Sequence, residues 1–470
     1  QQAKIMSQKY DVVCTNPPYM GSNGMNSKLR DYLKENYGDT WSDLSTVFME
    51  RSLRLCKNYK FVSLINIPVW MFISSYENMR DKLLSNFTFV NMLHLGRGVF
   101  GSDFGTTSFV IRNINIINYK ATYRKLYQKQ GAVDSLKQKE IWFFEKHGHY
   151  ETKKEIFSKI PGKPIAYWIT EVVSNIFEKH NGIAHYGDPK QGIATADNNR
   201  FLRLWHEVNI CKVEFSCEDR ESAKNCKKKW FPYNKGGEFR KWYGNNLYLI
   251  NWENDGMEIR NFKKAVLRNQ NYYFREGITW TWISSSYFGS RYSPKGFLFD
   301  VAGSTLFLEK DKILYFLGYM CSYVADYFLK IINPSLNFSN GVIAKLPIIL
   351  ANADNKVLID ELVEQNINIS KKDWDSFETS WDFKKHPLLT HKQDADTIEE
   401  AFNNWSNFAE NQFNQLKANE EDINRIFIEI YGLQDELTSY VDDKDVTITR
   451  IYDSKEDIPE SMKGNNYVLT

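Results

Sequence analysis

The stretch that most constrains this chain is Tyr10-Asp-Val-Val-Cys-Thr-Asn-Pro-Pro-Tyr19. Tyr10 to Thr15 is a short β-branched, apolar run with the composition of a buried strand. Pro17 and Pro18 end it, because proline can neither extend a central strand nor continue into a helix interior. An amide side chain is thereby held at the carboxyl end of a strand, followed by a rigid turn and an aromatic ring. Such an arrangement suits an exocyclic amine. The Asn16 carboxamide oxygen and the Pro17 carbonyl can each accept an N–H, and Tyr19 can stack on the ring that carries the amine. A proline turn after an ordinary strand would leave the same residues, so the surrounding chain has to decide.

Beyond Tyr19 the pattern alternates between helix and strand. Asp43 is placed to cap a helix with Leu44, Val47, Phe48 and Leu55 on one face. Residues 61–67 form an apolar run closed by Pro68, and Ser74 or Ser75 can cap a helix carrying Tyr76, Met79 and Leu83. Two further strands are expected at 87–95 and 106–111. Short connections between these elements fit the second half of a doubly wound α/β sheet. A cofactor-binding sheet of that kind also needs a Gly-rich first turn and an acidic ribose partner. Neither precedes Asn16. The segment Phe299-Asp300-Val301-Ala302-Gly303-Ser304-Thr305 imitates such a turn but lacks its second glycine and follows hairpin-like sequence, so it is taken as a decoy. The chain is therefore expected to be a fragment without the cofactor-loop half.

The later chain is different in character. From 114 to 160 it is Lys- and Gln-rich with an aromatic patch at Ile141-Trp-Phe-Phe144, the composition of a bridge. Lys224 to Tyr243 carries seven basic residues (Lys224, Lys227, Lys228, Lys229, Lys235, Arg240, Lys241) against Glu238 alone. Basic groups interleaved with aromatics suit phosphate contacts, although a solvated basic loop on a β-rich domain is the commoner case. With Arg291, these residues from Lys227 onward are the expected DNA contacts. The net charge is only +2, so any nucleic-acid surface must be local. In the tail, Ile398, Phe402, Trp405, Ala409, Phe413 and Leu416 keep helical spacing. Asn419 with Asp422 can cap a following helix, which Gly432 ends. Residues 394–424 hold eight acidic residues against Lys417, a face that should avoid phosphate.

Cys14, Cys56, Cys211, Cys217, Cys226 and Cys321 include no Cys-x-x-Cys pair, so free thiols and no metal are expected. There is no run of about 18 apolar residues and no signal peptide, so the expectation is a cytoplasmic protein without membrane contact.

Asn16-Pro17-Pro18-Tyr19 resembles the catalytic motif of S-adenosylmethionine-dependent amino-methyltransferases, in particular the adenine-N6 DNA enzymes. The resemblance implies that the tetrad grips a flipped adenine. It also implies that an aromatic from Gly96-Arg-Gly-Val-Phe100-Gly-Ser-Asp-Phe104 contacts the base, with Phe100 the better match and Phe104 the second. Together with Asn234-Lys-Gly-Gly-Glu-Phe-Arg-Lys-Trp-Tyr-Gly244 and Gly277-Ile-Thr-Trp280, the motif resembles the PglX family. These are adenine-specific DNA methyltransferases of bacterial phage-exclusion (BREX) systems, akin to single-chain restriction-methylation enzymes.

The resemblance implies a methyltransferase half-domain over 1–115, a bridge over 116–160, an α+β target-recognition domain over 161–350 and a helical spacer over 351–470. Double-stranded DNA is the implied partner, with other phage-defence proteins or phage inhibitors as further ones. S-adenosylmethionine is the implied cofactor, its main loop lying outside this chain. Two other readings stay open: a DNA-specificity module without turnover, and methylation of RNA or of a protein glutamine.

Overall fold

The computed structural model describes residues 5–469 apart from 6, 101–103, 129–130, 284–287, 335–336, 453–454, 457 and 459–466. It divides into two compact units, Gln1–Lys179 with Ile331–Pro334, and His180–Lys330 with Ser335–Thr470.

The first unit is built on a six-stranded mixed sheet of β1 (Tyr10–Thr15), β2 (Cys56–Asn66), β3 (Thr88–Gly96), β4 (Thr106–Arg112), β5 (Lys120–Lys125) and β6 (His149–Lys153), in the order β1-β2-β4-β3-β5-β6. β1 runs parallel to β2, β4 lies antiparallel between β2 and β3, and β5 continues the sheet parallel to β3. Residues 116–160 are thus no bridge: β5 and β6 complete the sheet, because the alternation in Lys120–Lys125 buries Ala121 and Tyr123.

Strand periodicity gives this sheet two unlike faces. On one, Val62, Ile111 and Phe89 line up across three strands, as do Leu64, Phe109 and Met92, and all six are buried. Trp70 stacks on Phe89 with centroids 6.1 Å apart and meets Phe109 edge-on at 5.5 Å. On the other face, Val12 pairs with Phe61 and both are exposed, while Cys14, Ser63, Val110 and Asn91 form a row in which none is buried. β1 has the expected bounds but is an edge strand, not a buried one: Val12 is 62% exposed. The helix Leu44–Leu55 also departs from expectation. Asp43 caps it through Ser45 N, yet it buries Thr46, Val47, Met49 and Leu53, and leaves Phe48 exposed.

His94 on β3 sits inside the buried face, its Nδ1 3.0 Å from the Tyr167 hydroxyl and 3.5 Å from that of Tyr127. Burial, with the nearby Lys125 charge adding to it, pulls its pKa from 6.5 down to about 3. Between those values the unfolded chain binds a proton that the folded chain refuses. The stability is fully present above pH 6.5 and is lost as pH falls toward 3, at about 1.4 kcal/mol per pH unit for this one site. Urea titrations at several acidic pH values should show that slope in the native chain and its loss in His94→Gln.

The second unit holds two four-stranded sheets. One orders β13 (Leu298–Phe299), β9 (Trp230–Asn234), β10 (Tyr248–Asn251) and β8 (Leu202–Leu204). The other orders β12 (Ser290–Ser293), β11 (Gly277–Trp280), β14 (Thr305–Phe307) and β7 (Asp188–Lys190). An aromatic core of Phe231, Tyr233, Trp252, Phe274 and Phe299 packs against the first. The helix Ile313–Cys321 packs on Ala353–Asp375 and on Ile398–Tyr431, so the tail expected as a separate spacer belongs to the same compact unit.

Ile398–Tyr431 is one helix of 34 residues, opened by a Thr397–Glu400 capping box and closed by Gly432 at φ 65°. Asn419 does not cap a second helix. Its buried amide donates to Asn366 Oδ1 at 2.9 Å, which leaves the helix unbroken. Among the described residues no helix is long and apolar enough to cross a membrane.

Candidate active site

Asn16 lies at the carboxyl end of β1, exposed, and the tetrad after it is pinned from both sides. Downstream, Met20 and Ser22 hydrogen-bond to the backbone of Leu44 and Ser42. Within the tetrad, the Tyr19 hydroxyl donates to Asn16 Oδ1 at 2.9 Å and lies 3.2 Å from the Ile65 carbonyl of β2. Burial raises the Tyr19 pKa, so the hydroxyl stays a donor. A carboxamide oxygen has two lone pairs. Tyr19 occupies one and orients the group, which leaves the second for an incoming N–H.

The aromatic that meets Tyr19 is Phe104, edge-on at 5.3 Å. Phe100, the better sequence match, is exposed, and the intervening residues 101–103 lie outside the described residues. Gly96 and Gly98 open this loop with φ of 69° and 90°. A Cβ on Gly96 would come within 2.9 Å of the Tyr127 ring, so glycine is needed for the chain to turn there. The Ile65 carbonyl was not foreseen from sequence, since a backbone acceptor leaves no residue signature. The glycine spacing of 96 and 98 was the available sign of a tight loop.

β2 is the strand that pairs with β1 among the described residues, and it runs directly into Ile67 and Pro68. The imitation at 299–305 is internal to the second unit. The Asp300 carboxylate accepts from Tyr233 at 2.8 Å, Lys235 at 2.6 Å and the Ala302 N–H at 2.7 Å, and Gly303 is pressed against the Asn234 carbonyl. Among the described residues no His, Cys, Asp and Glu grouping could hold a metal ion.

The expected DNA contacts separate into two sets. Lys227 is exposed, Lys228 is half-buried with its amine 2.6 Å from the Cys211 carbonyl, and Lys229 lies 3.8 Å from Glu253. The others turn inward, which corrects their assignment as phosphate contacts. Lys235 is bound to Asp300, and Arg240 pairs with Asp373 at 3.3 Å and covers the Trp374 ring. Lys241 is buried against Glu420, which also accepts from Trp242 Nε1 at 2.6 Å. Arg291 is 2% exposed, and burial pulls its pKa down to about 10. A cation already paired with a carboxylate, or buried as Arg291 is, cannot reach a phosphate to release counterions from DNA.

The six-stranded mixed sheet, with Asn-Pro-Pro-Tyr at the end of its edge strand, is an α/β unit. The family model described as Eco57I restriction-modification methylase matches residues 1–100. The chain is 39% identical over 469 residues to the adenine-specific methyltransferase PglX of Lacticaseibacillus casei (strain Zhang), covering 95% of this chain and 38% of that protein. It is 40% identical over 450 residues to the adenine-specific methyltransferase BrxX of Escherichia coli O9:H4 (strain HS), covering 93% and 35%. The chain is thus similar to PglX-type methyltransferases over nearly its whole length, and it spans a little over a third of the length of these curated relatives. The type IIL restriction-modification enzyme MmeI, solved in complex with DNA, shares the fold at a TM-score of 0.54 and 10% identity, over 91% of this chain and 55% of that one.

Proposed function

We propose that this chain carries the adenine-gripping and target-recognition parts of a site-specific DNA adenine-N6 methyltransferase of a phage-defence system. The observation that carries the reading is the Asn16 carboxamide, exposed at the end of β1 and oriented by Tyr19 with one lone pair to spare. An adenine amine is a poor nucleophile because its lone pair is delocalised into the ring. Acceptance of its two hydrogens by Asn16 Oδ1 and the Pro17 carbonyl localises that pair out of the plane. Tyr19 stacks on the flipped base, and Phe104, set edge-on to Tyr19, is the better placed of the two phenylalanines to bound it. S-adenosylmethionine is the methyl donor this reading implies. The part these residues play is confined to the base: gripping it, orienting its amine and excluding water from it. The second unit supplies recognition of the duplex, with Lys227, Lys228 and Lys229 as phosphate contacts.

A second reading, a DNA-specificity module without turnover, draws on the exposed Lys227 with its neighbours Lys228 and Lys229 in the second unit. Sequencing of modified adenines in cells with and without the full-length gene separates the two. A sequence-specific N6-methyladenine mark that disappears with the gene supports the enzyme, and an unchanged methylome removes it. The lysine assignment has its own test. Replacing Lys227, Lys228 and Lys229 together with Glu should weaken duplex binding and reduce the log–log salt slope by up to about 3. An unchanged slope in a fluorescence titration would mark the patch as ordinary surface.

A further inference from the structure

A second polar cluster lies in the second unit, apart from the lysines considered above. Trp252 Nε1, Tyr273 Oη and Arg268 Nη1 are buried atoms with no protein partner. Trp252 is fully buried and Tyr273 is 2% exposed, and their rings meet edge-on at 5.4 Å. Guanidinium groups surround them. Arg260 lies over the Trp252 ring, 5.5 Å from its centroid, and donates to the Asp255 carbonyl at 2.7 Å and to Gln270 Oε1 at 2.8 Å. Arg220 grips the Asp255 carboxylate from its Nε at 2.7 Å and from Nη2, and Arg260 reaches the same carboxylate at 3.1 Å. Arg220, Arg260 and Arg268 all act electrostatically on the Tyr273 hydroxyl, and Lys224 acts on Asp255. Three cations, Arg220, Arg260 and Lys224, therefore face the Asp255 carboxylate, and Arg268 stands near the Tyr273 hydroxyl.

All three unpartnered atoms can donate, and two of them, the indole and guanidinium nitrogens, can only donate. Water could accept from two of the three but would turn its own hydrogens toward a cationic neighbourhood. An oxyanion accepts from all of them and carries the charge the cluster lacks. The backbone is held to suit: Asn254, Asp255 and Gly256 have φ of 51°, 60° and 69°, and the two arginines on Asp255 tie that left-handed turn in place.

We infer that Arg220, Arg260 and Arg268, with Trp252 and Tyr273, form a binding site for a phosphate group. The group is either a free phosphate or a backbone phosphate of DNA. Only the second case rests on reading this unit as a duplex-recognition unit.

The test uses the full chain and two probes, inorganic phosphate at constant ionic strength and a short fluorescent duplex. Phosphate should raise the thermal midpoint of the native chain, and Tyr273→Phe and Arg268→Gln should each weaken that binding about tenfold. Tyr273→Phe removes only a hydroxyl without a partner, so the fold should persist even where Arg268→Gln does not.

Protection by phosphate with an unchanged duplex salt slope in the variants assigns the site to free phosphate. A slope reduced by about 1 in Arg268→Gln, or a lowered duplex affinity in Tyr273→Phe, with phosphate competing against the duplex, assigns it to the DNA backbone. Absence of both effects overturns the proposal, the donors then being served by water. If the native chain fails to bind duplex at all, the recognition reading fails, while the phosphate titration still decides the site.

Discussion

Asn16→Ala in the full-length protein is expected to lower methyl transfer to duplex DNA by about a thousandfold, while duplex affinity changes little. The size follows from what the side chain does. Its carboxamide oxygen is one of two acceptors that would draw the amine hydrogens out of the base plane, and a methyl group offers none. Selectivity for chemistry over binding follows from its position. Asn16 is exposed at the end of an edge strand, so its loss removes no packing. Tyr19 loses one acceptor but keeps the Ile65 carbonyl at 3.2 Å, so the stacking ring stays in place. Mass spectrometry of methylated oligonucleotides, with a parallel binding titration, reads both quantities. A variant retaining more than about a tenth of native activity would remove Asn16 from the adenine-gripping role.

The largest effect on stability is expected at Lys241 and Glu420. Both are buried, and Glu420 also takes the Trp242 indole proton at 2.6 Å, so one carboxylate serves two donors from a distant stretch of chain. Burial raises the Glu420 pKa, and the Lys241 charge opposes that rise. Removing the acid alone leaves an ammonium in the core and an indole N–H without an acceptor. Glu420→Ala should therefore destabilise the second unit by about 3–5 kcal/mol in urea denaturation. The double variant Lys241→Met, Glu420→Gln should recover most of that, since it removes the stranded charge and keeps an acceptor for Trp242. Equal stability of Glu420→Ala and the native chain would show that the pair is not a buried one. The same double variant should also leave the salt dependence of duplex binding unchanged, because Lys241 is already neutralised inside the protein.

The same two sites show where sequence reading stops. Tyr10–Thr15 was legible with its bounds, because strand propensity and the prolines that end the strand act over a few residues. The cap at Asp43 and the glycine that closes the last long helix were legible for the same reason. The partners of the basic run were not. Lys235 pairs with a residue 65 positions away, Arg240 with one 133 away and Lys241 with one 179 away. A lysine in a turn-rich, aromatic stretch looks alike in sequence whether it faces phosphate or a buried carboxylate.

From local sequence alone followed the strand, the rigid turn and the amide at its end, since proline geometry and β-branched side chains act on their immediate neighbours. The family resemblance followed from motifs of the same short range. Only the tertiary structure decided that β1 is an exposed edge, because burial of a strand depends on what packs against it. It likewise decided that Phe104 meets Tyr19, since that contact brings the end of β1 together with the residue just ahead of β4 across β2. The division of the cations into surface and inward-facing ones was decided there too, since burial and charge pairing depend on distance in space.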